Sequence, residues 1–114
     1  MKVKEFNDIK YYIGENALDN WNLFDNSNII NENYIWFHLN SFASPYVIMY
    51  ATINEIKHEK DSYLNYGATL CLANSKYSYL KDTKIIYSEL KKLKRGNVLG
   101  NIIVHGKKNL ITAN

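Results

Sequence analysis

The chain has 114 residues, a single Cys, a single Pro and a formal net charge of +3, and 46% of its residues are hydrophobic. That length fits one domain of about 100–150 residues with enough apolar side chains for a core, which excludes a disordered or fibrous chain. One Cys excludes an intramolecular disulfide and, with only three His, leaves no ligand set for a structural zinc, while the longest strongly apolar run, residues 46–53, is far below the roughly 20 residues of a membrane helix.

The first residues, Met1-Lys2-Val3-Lys4-Glu5, carry no apolar segment, so no signal peptide is expected and the protein is read as cytoplasmic. Residues 9–13 are aromatic and β-branched and stop at Gly14, the pattern of a strand running into a turn. Residues 16–25 place Ala17, Trp21 and Phe24 at helical spacing behind Asn16, whose side chain suits an N-cap. Residues 26–33 are polar and turn-rich. Residues 34–39 read as a strand, which the 40–45 segment breaks, Pro45 fixing φ at the bend. Residues 46–52 read as a buried strand, antiparallel to 34–39.

Residues 54–60 read as a loop or a first helical turn, with Asp61 as the N-cap of the next helix. Leu64, Ala68, Cys71 and Leu72 form one face of that helix. Gly67 lies inside it at a cost of about 1 kcal/mol against Ala, which implies a close contact at that point. Asn74-Ser75 ends the helix. Residues 84–87 form a strand, 90–95 a basic run, and 96–100 a turn between glycines. Residues 101–105 and 110–113 are expected to pair as a terminal hairpin around a tight turn at 106–109. The expected fold is α+β, a single domain spanning residues 1–114, with a mostly antiparallel sheet of about six strands and two helices.

Charge is unevenly spread. Residues 1–62 hold five Lys against nine acids, and residues 63–114 hold nine Lys or Arg against two, Asp82 and Glu89. Such asymmetry points to an anionic partner for the basic half, although the abundance of Asn, Ile, Lys and Tyr fits an AT-rich coding bias that raises Lys counts regardless of binding. Lys91, Lys92, Lys94 and Arg95 lead into the glycine-bounded loop, with Lys107, Lys108 and Lys84 as further candidates for phosphate contacts. Trp36, Phe37, Tyr46, Tyr50 and Tyr87 are expected to lie mostly in the core. Tyr77 and Tyr79, flanked by Lys76 and Lys81, are better placed to stack on bases. His38, His58 and His105 have no metal-ligand spacing, and His38 reads as buried and hydrogen-bonded. Cys71 reads as an inert core thiol. No nucleophile–base pair or paired carboxylates appear, so the chain is read as a non-enzyme without metal or cofactor.

Gly14-Glu15-Asn16-Ala17-Leu18-Asp19-Asn20-Trp21-Asn22-Leu23 fits the pattern G-x-N-A-x-x-N-x-x-L. It is followed by Ile35-Trp36-Phe37-His38, then Ser44-Pro45-Tyr46-Val47-Ile48, and then Lys84-Ile85-Ile86-Tyr87-Ser88-Glu89-Leu90-Lys91-Lys92-Leu93-Lys94-Arg95-Gly96. This order resembles the NFACT-R domain family over nearly the whole chain, with Gly14, Asn16, Asn20, Trp36 and His38 as the family-motif positions. The resemblance implies an RNA-binding domain with no catalytic activity. In the family it occurs in ribosome-associated quality-control factors that recruit tRNA, at the start of small eukaryotic coiled-coil-domain proteins, and alone; this chain is similar to the free-standing form.

The implied partner is RNA, either tRNA or rRNA, with DNA as an alternative ligand and homo-oligomers compatible. No membrane partner is expected. Three positions depart from the family pattern: Glu15 replaces an Arg, Tyr34 an Asp, and Ser44-Pro45-Tyr46 a Gly-Ser-His. These departures motivate an alternative reading, a protein-interaction adaptor or homodimeric module that has lost nucleic-acid binding.

Overall fold

In the computed structural model, which describes residues 1–113, the chain opens on a hairpin of β1 (Lys2–Phe6) and β2 (Ile9–Ile13). Asn7 and Asp8 take φ values of 48° and 67° at its two-residue turn. Short polar side chains tolerate this left-handed conformation, and such turns match the twist of paired strands. The sequence reading has no strand before residue 9. The structure adds β1 because alternating Lys, Val, Lys, Glu is stable as an edge strand once the turn brings it against β2.

The sheet continues with β3 (Ile35–Leu39), β4 (Val47–Met49), β5 (Thr83–Glu89) and, after a separate ribbon of β6 (Leu93–Arg95) and β7 (Ile102–Val104), β8 (Asn109–Ala113). Its order is β1-β2-β4-β3-β5-β8, antiparallel throughout. Two long helices cover it, α1 (Ala17–Ile30) and α3 (Lys60–Ala73), with a single turn α2 (Ile53–Ile56) between. The fold is therefore α+β in one compact unit, with the antiparallel sheet of six strands that is expected and a two-stranded ribbon beside it.

β3 is central and covered on both faces, which is why residues 35–39 read as a nearly continuous apolar run. Ile35, Phe37 and Leu39 point to α3, packing with Val47, Met49, Ile85, Leu64, Ala68 and Cys71. Trp36 points to the other face, with Ile48, Tyr46, Ile86, Leu23 and Phe24, and Leu90 and Leu93 close this second core. The face of α3 is the one its spacing indicates, with Leu64, Ala68, Cys71 and Leu72 all buried. A Cβ on Gly67 would lie 2.4 Å from Phe37 Cζ, so the glycine admits an aromatic ring against the helix backbone.

Four local expectations are corrected. First, α1 runs through the polar residues 26–30. Its buried stripe is Asn20, Leu23, Phe24 and Ser27, and the two polar members are satisfied, Ser27 Oγ lying 2.6 Å from the Tyr50 hydroxyl. Second, of the loop or first helical turn expected at 54–60 it is the turn that forms, starting one residue earlier as α2 and held by a reciprocal capping box of Thr52 and Glu55. Third, Asp61 sits in the first turn of α3 and does not cap it. Fourth, β7 and β8 do not form a terminal hairpin. β7 pairs with β6, and β8 crosses to pair with β5 from Thr83↔Ala113 to Tyr87↔Asn109. Ile111 and Ala113 thereby join the α3 core, which outweighs the short loop closure of a hairpin.

Candidate nucleic-acid interface

A groove of about 1150 Å³ opens where β3 ends, on the α1 face of the sheet. Its walls are the first turn of α1, the 39–45 loop, the end of α3 and the β6–β7 ribbon with its 96–101 loop. Gly14, Asn16, Asn20, Trp36 and His38, the five motif positions read from the sequence, all line it.

The first three build the wall. Asn16 caps α1, its side chain accepting from Asp19 N at 2.8 Å. Asn20 is 94% buried and its Oδ1 accepts from Tyr46 N at 3.1 Å, which ties the helix to the chain entering β4. Gly14 leaves room for that amide, since a Cβ there would meet Asn20 Oδ1 at 1.9 Å. The Tyr46 hydroxyl donates to the Gly100 carbonyl, and Gly100, at φ +88°, lies so close to Ala17 that a Cβ would stand 2.9 Å from it. Tyr46 is thus a structural strut. Burial pushes its hydroxyl pKa up, so it is a neutral donor.

Trp36 and His38 form the floor. Their rings stack at 5.3 Å and 11°, and Tyr46 meets both edge-on. The buried indole N–H of Trp36 has no hydrogen-bond partner. His38 is half-buried, with Nδ1 2.7 Å from the Leu39 carbonyl, as the sequence reading expects. Burial lowers its pKa and outweighs the opposing effect of that hydrogen bond, so the ring is neutral near pH 7. On the rim, Phe42 packs on Tyr77 at 4.5 Å, and Lys76 lies 5.4 Å from the Tyr77 ring centre. Tyr77 is therefore half-covered, whereas Tyr79 is 74% exposed.

The charged lining consists of Lys2, Lys76 and Lys108 against one acid, Glu15. Glu15 contacts the Met1 amino group, which also lies 3.2 Å from Asp19. The candidate cations of the sequence are dispersed. Lys91 and Lys92 share Glu89 at 3.8 and 3.7 Å. Hydrogen bonds from Leu90 N to Tyr34 O and Lys91 N to Glu32 O hold this run beside the start of β3, at the opposite end from the groove. Arg95 turns to α1, pairing with Asp25 at 2.8 Å and lying 4.4 Å over the Trp21 ring. Lys94 and Lys107 are exposed and have no acid within ion-pair distance among the described residues. Lys84 lies on the α1 face of β5 and donates to Thr112 Oγ1 at 2.6 Å. Of the seven, only Lys108 lines the groove.

Lys2, Lys76 and Phe42 complete a site that sequence reasoning does not assemble. Its signs in the sequence are slight: Phe42, an aromatic residue among turn formers, and Lys76 beside Tyr77. Cys71 is fully buried, its thiol pushed up to about 12 by desolvation. Among the described residues no group of three or more His, Cys, Asp or Glu is placed to hold a metal, and no helix is long and apolar enough to cross a membrane.

No family model matches the chain, and no curated protein matches it by sequence. Its fold is similar to a solved structure of the C-terminal of the fibronectin/fibrinogen-binding protein from Streptococcus suis, with a TM-score of 0.78 over 92% of this chain at 19% identity. This chain spans 40% of that one, and the likeness shows a shared α+β fold.

Proposed function

We propose that the chain is a non-enzymatic, cytoplasmic nucleic-acid-binding module of the NFACT-R kind, taking single-stranded RNA or the unpaired regions of tRNA along the groove. One observation carries this reading: five motif positions between Gly14 and His38 line a single groove whose charged residues are three Lys and one Glu already in contact with an amino group. Flexible cations beside exposed ring faces suit a phosphate backbone with unstacked bases. The resemblance places such a module in translation or ribosome-associated quality control, with RNA ahead of DNA.

The test is a fluorescence-anisotropy titration of labelled single-stranded RNA and of tRNA at two salt concentrations. Three phosphate contacts give a log–log slope of affinity against salt of about −2 on a single strand. Absence of binding at the lower salt overturns the proposal.

A second reading, a protein-interaction adaptor or homodimer, is favoured by the ribbon and its loop, where Val98, Leu99 and Ile103 are 62%, 48% and 50% exposed. The solved protein of similar fold is named for binding fibronectin and fibrinogen. A concentration-dependent dimer in sedimentation, indifferent to added RNA, selects this reading.

A further inference from the structure

The groove floor has a chemical polarity that phosphate binding alone does not explain. The Leu39 carbonyl can only accept, so the 2.7 Å contact requires the proton of neutral His38 to sit on Nδ1. Nε2 then holds a lone pair. It makes no hydrogen bond among the described residues, and it is not among the fully enclosed unpaired atoms, so solvent reaches it from the groove. One face of the imidazole is taken up by the Trp36 ring, which holds it in place. A solvent-reached acceptor on a ring held in place by an aromatic stack, at the mouth of a groove, is part of a site for the N–H edge of a polar ring. Lys108 and Lys76 on the same groove supply the charge that a linked phosphate requires.

We infer that the groove receives one unpaired nucleobase edge to edge with His38, whose Nε2 accepts a hydrogen bond, in the plane of the imidazole, from a ring or exocyclic N–H on the base's pairing edge. This rests on the nucleic-acid reading and sharpens it. In a duplex those N–H groups are engaged and the ring faces are stacked, so the site selects unpaired bases, whereas lysines alone would hold either form. Every base carries such an N–H, so the selection is for single-strandedness and not for sequence. The 39–45 loop is a wall of the groove, and Phe42 on it is 40% exposed, offering a ring face at the rim for a neighbouring base.

The experiment compares a short single-stranded RNA, the same RNA with one central abasic site, and its blunt duplex, against the intact chain and two variants, His38→Ala and His38→Phe. His38→Phe keeps a stacking ring but removes the acceptor, and thermal unfolding of both variants confirms that they fold. Expected for the intact chain is binding of the single strand at least tenfold tighter than of the duplex. His38→Ala and His38→Phe both remove most of that preference, because neither keeps the acceptor, and a preference retained by His38→Phe overturns the hydrogen bond. Equal affinity for single strand and duplex, or a single-strand preference untouched by His38→Ala, overturns this inference and leaves the nucleic-acid reading standing. Failure to bind any of the three RNAs overturns both.

Discussion

Gly67 shows how one missing methyl sets a fold. A glycine inside a helix gives up about 1 kcal/mol against alanine, so replacement would stabilise an isolated helix. Here the added Cβ would fall within 2.8 Å of three atoms of the Phe37 ring, which is fully buried on the central strand and has nowhere to swing. Overpacking of this kind costs about 1–3 kcal/mol, which exceeds the propensity gain. Gly67→Ala is therefore expected to lower the urea midpoint, by a net of up to about 2 kcal/mol in stability. Phe37→Leu in the same chain should recover part of the loss, because the smaller side chain vacates the contact. If Gly67→Ala raises the midpoint, α3 does not press on Phe37 as described. At this scale the sequence is legible in kind: a glycine in an otherwise good helix signals a close approach. Which residue makes the approach is not legible, because Phe37 lies 30 positions away.

The β6–β7 ribbon is the element on which the groove depends most and the one least secured by the core. A two-stranded hairpin is marginal in water, so it must be held from outside. Leu93 is buried against the second core, and Tyr46 reaches the Gly100 carbonyl. The exposed side is fastened by Trp21, whose Nε1 donates to the Asn101 carbonyl at 3.0 Å and whose ring carries the Arg95 guanidinium. A hydrogen bond of about 0.5–1.5 kcal/mol and a cation–π contact of about 0.5–1 kcal/mol are lost together in Trp21→Ala. The Arg95–Asp25 pair adds little, since both partners are largely exposed. Amide exchange from residue 93 to 104 should then accelerate on the order of tenfold to a hundredfold, while amides of β3 and β5 keep their protection. Uniform acceleration across both would show that Trp21 supports global stability and not the ribbon. This element also marks where reading the sequence breaks down. Residues 101–105 and 110–113 look like a hairpin because the turn between them has good local chemistry. The actual partners, β6 and β5, are chosen by burial of Leu93 against α1 and of Ala113 against α3, which no local pattern displays. The helix α3 and the β3–β4 pair are legible because their periodicity and their burial coincide.

Across the whole molecule, formal charge and available charge differ. The basic half of the sequence is a correct description of composition, yet the fold sends its densest run, Lys91 and Lys92, to Glu89 beside the start of β3, and Arg95 to Asp25. The groove draws instead on Lys2 and Lys76, which join Lys108 only through the sheet and the end of α3, with Lys2 Nζ 3.3 Å from Asn74 Oδ1. At about 0.1 M salt, charges more than about 10 Å apart are largely screened, so position matters more than net charge. Two charge-reversal pairs separate these descriptions, because each changes the formal charge equally. Lys76→Glu with Lys108→Glu should weaken single-stranded RNA binding strongly and flatten the log–log salt slope by about 1.4, the equivalent of two phosphate contacts. Lys91→Glu with Lys92→Glu should leave the slope nearly unchanged, since those ammonium groups already share a carboxylate away from the groove. The opposite ranking would move the interface to the basic run before β6 and leave the groove as a structural crevice. Equal losses from both pairs would mean that the molecule attracts polyanions through its overall field, without a defined path for the strand.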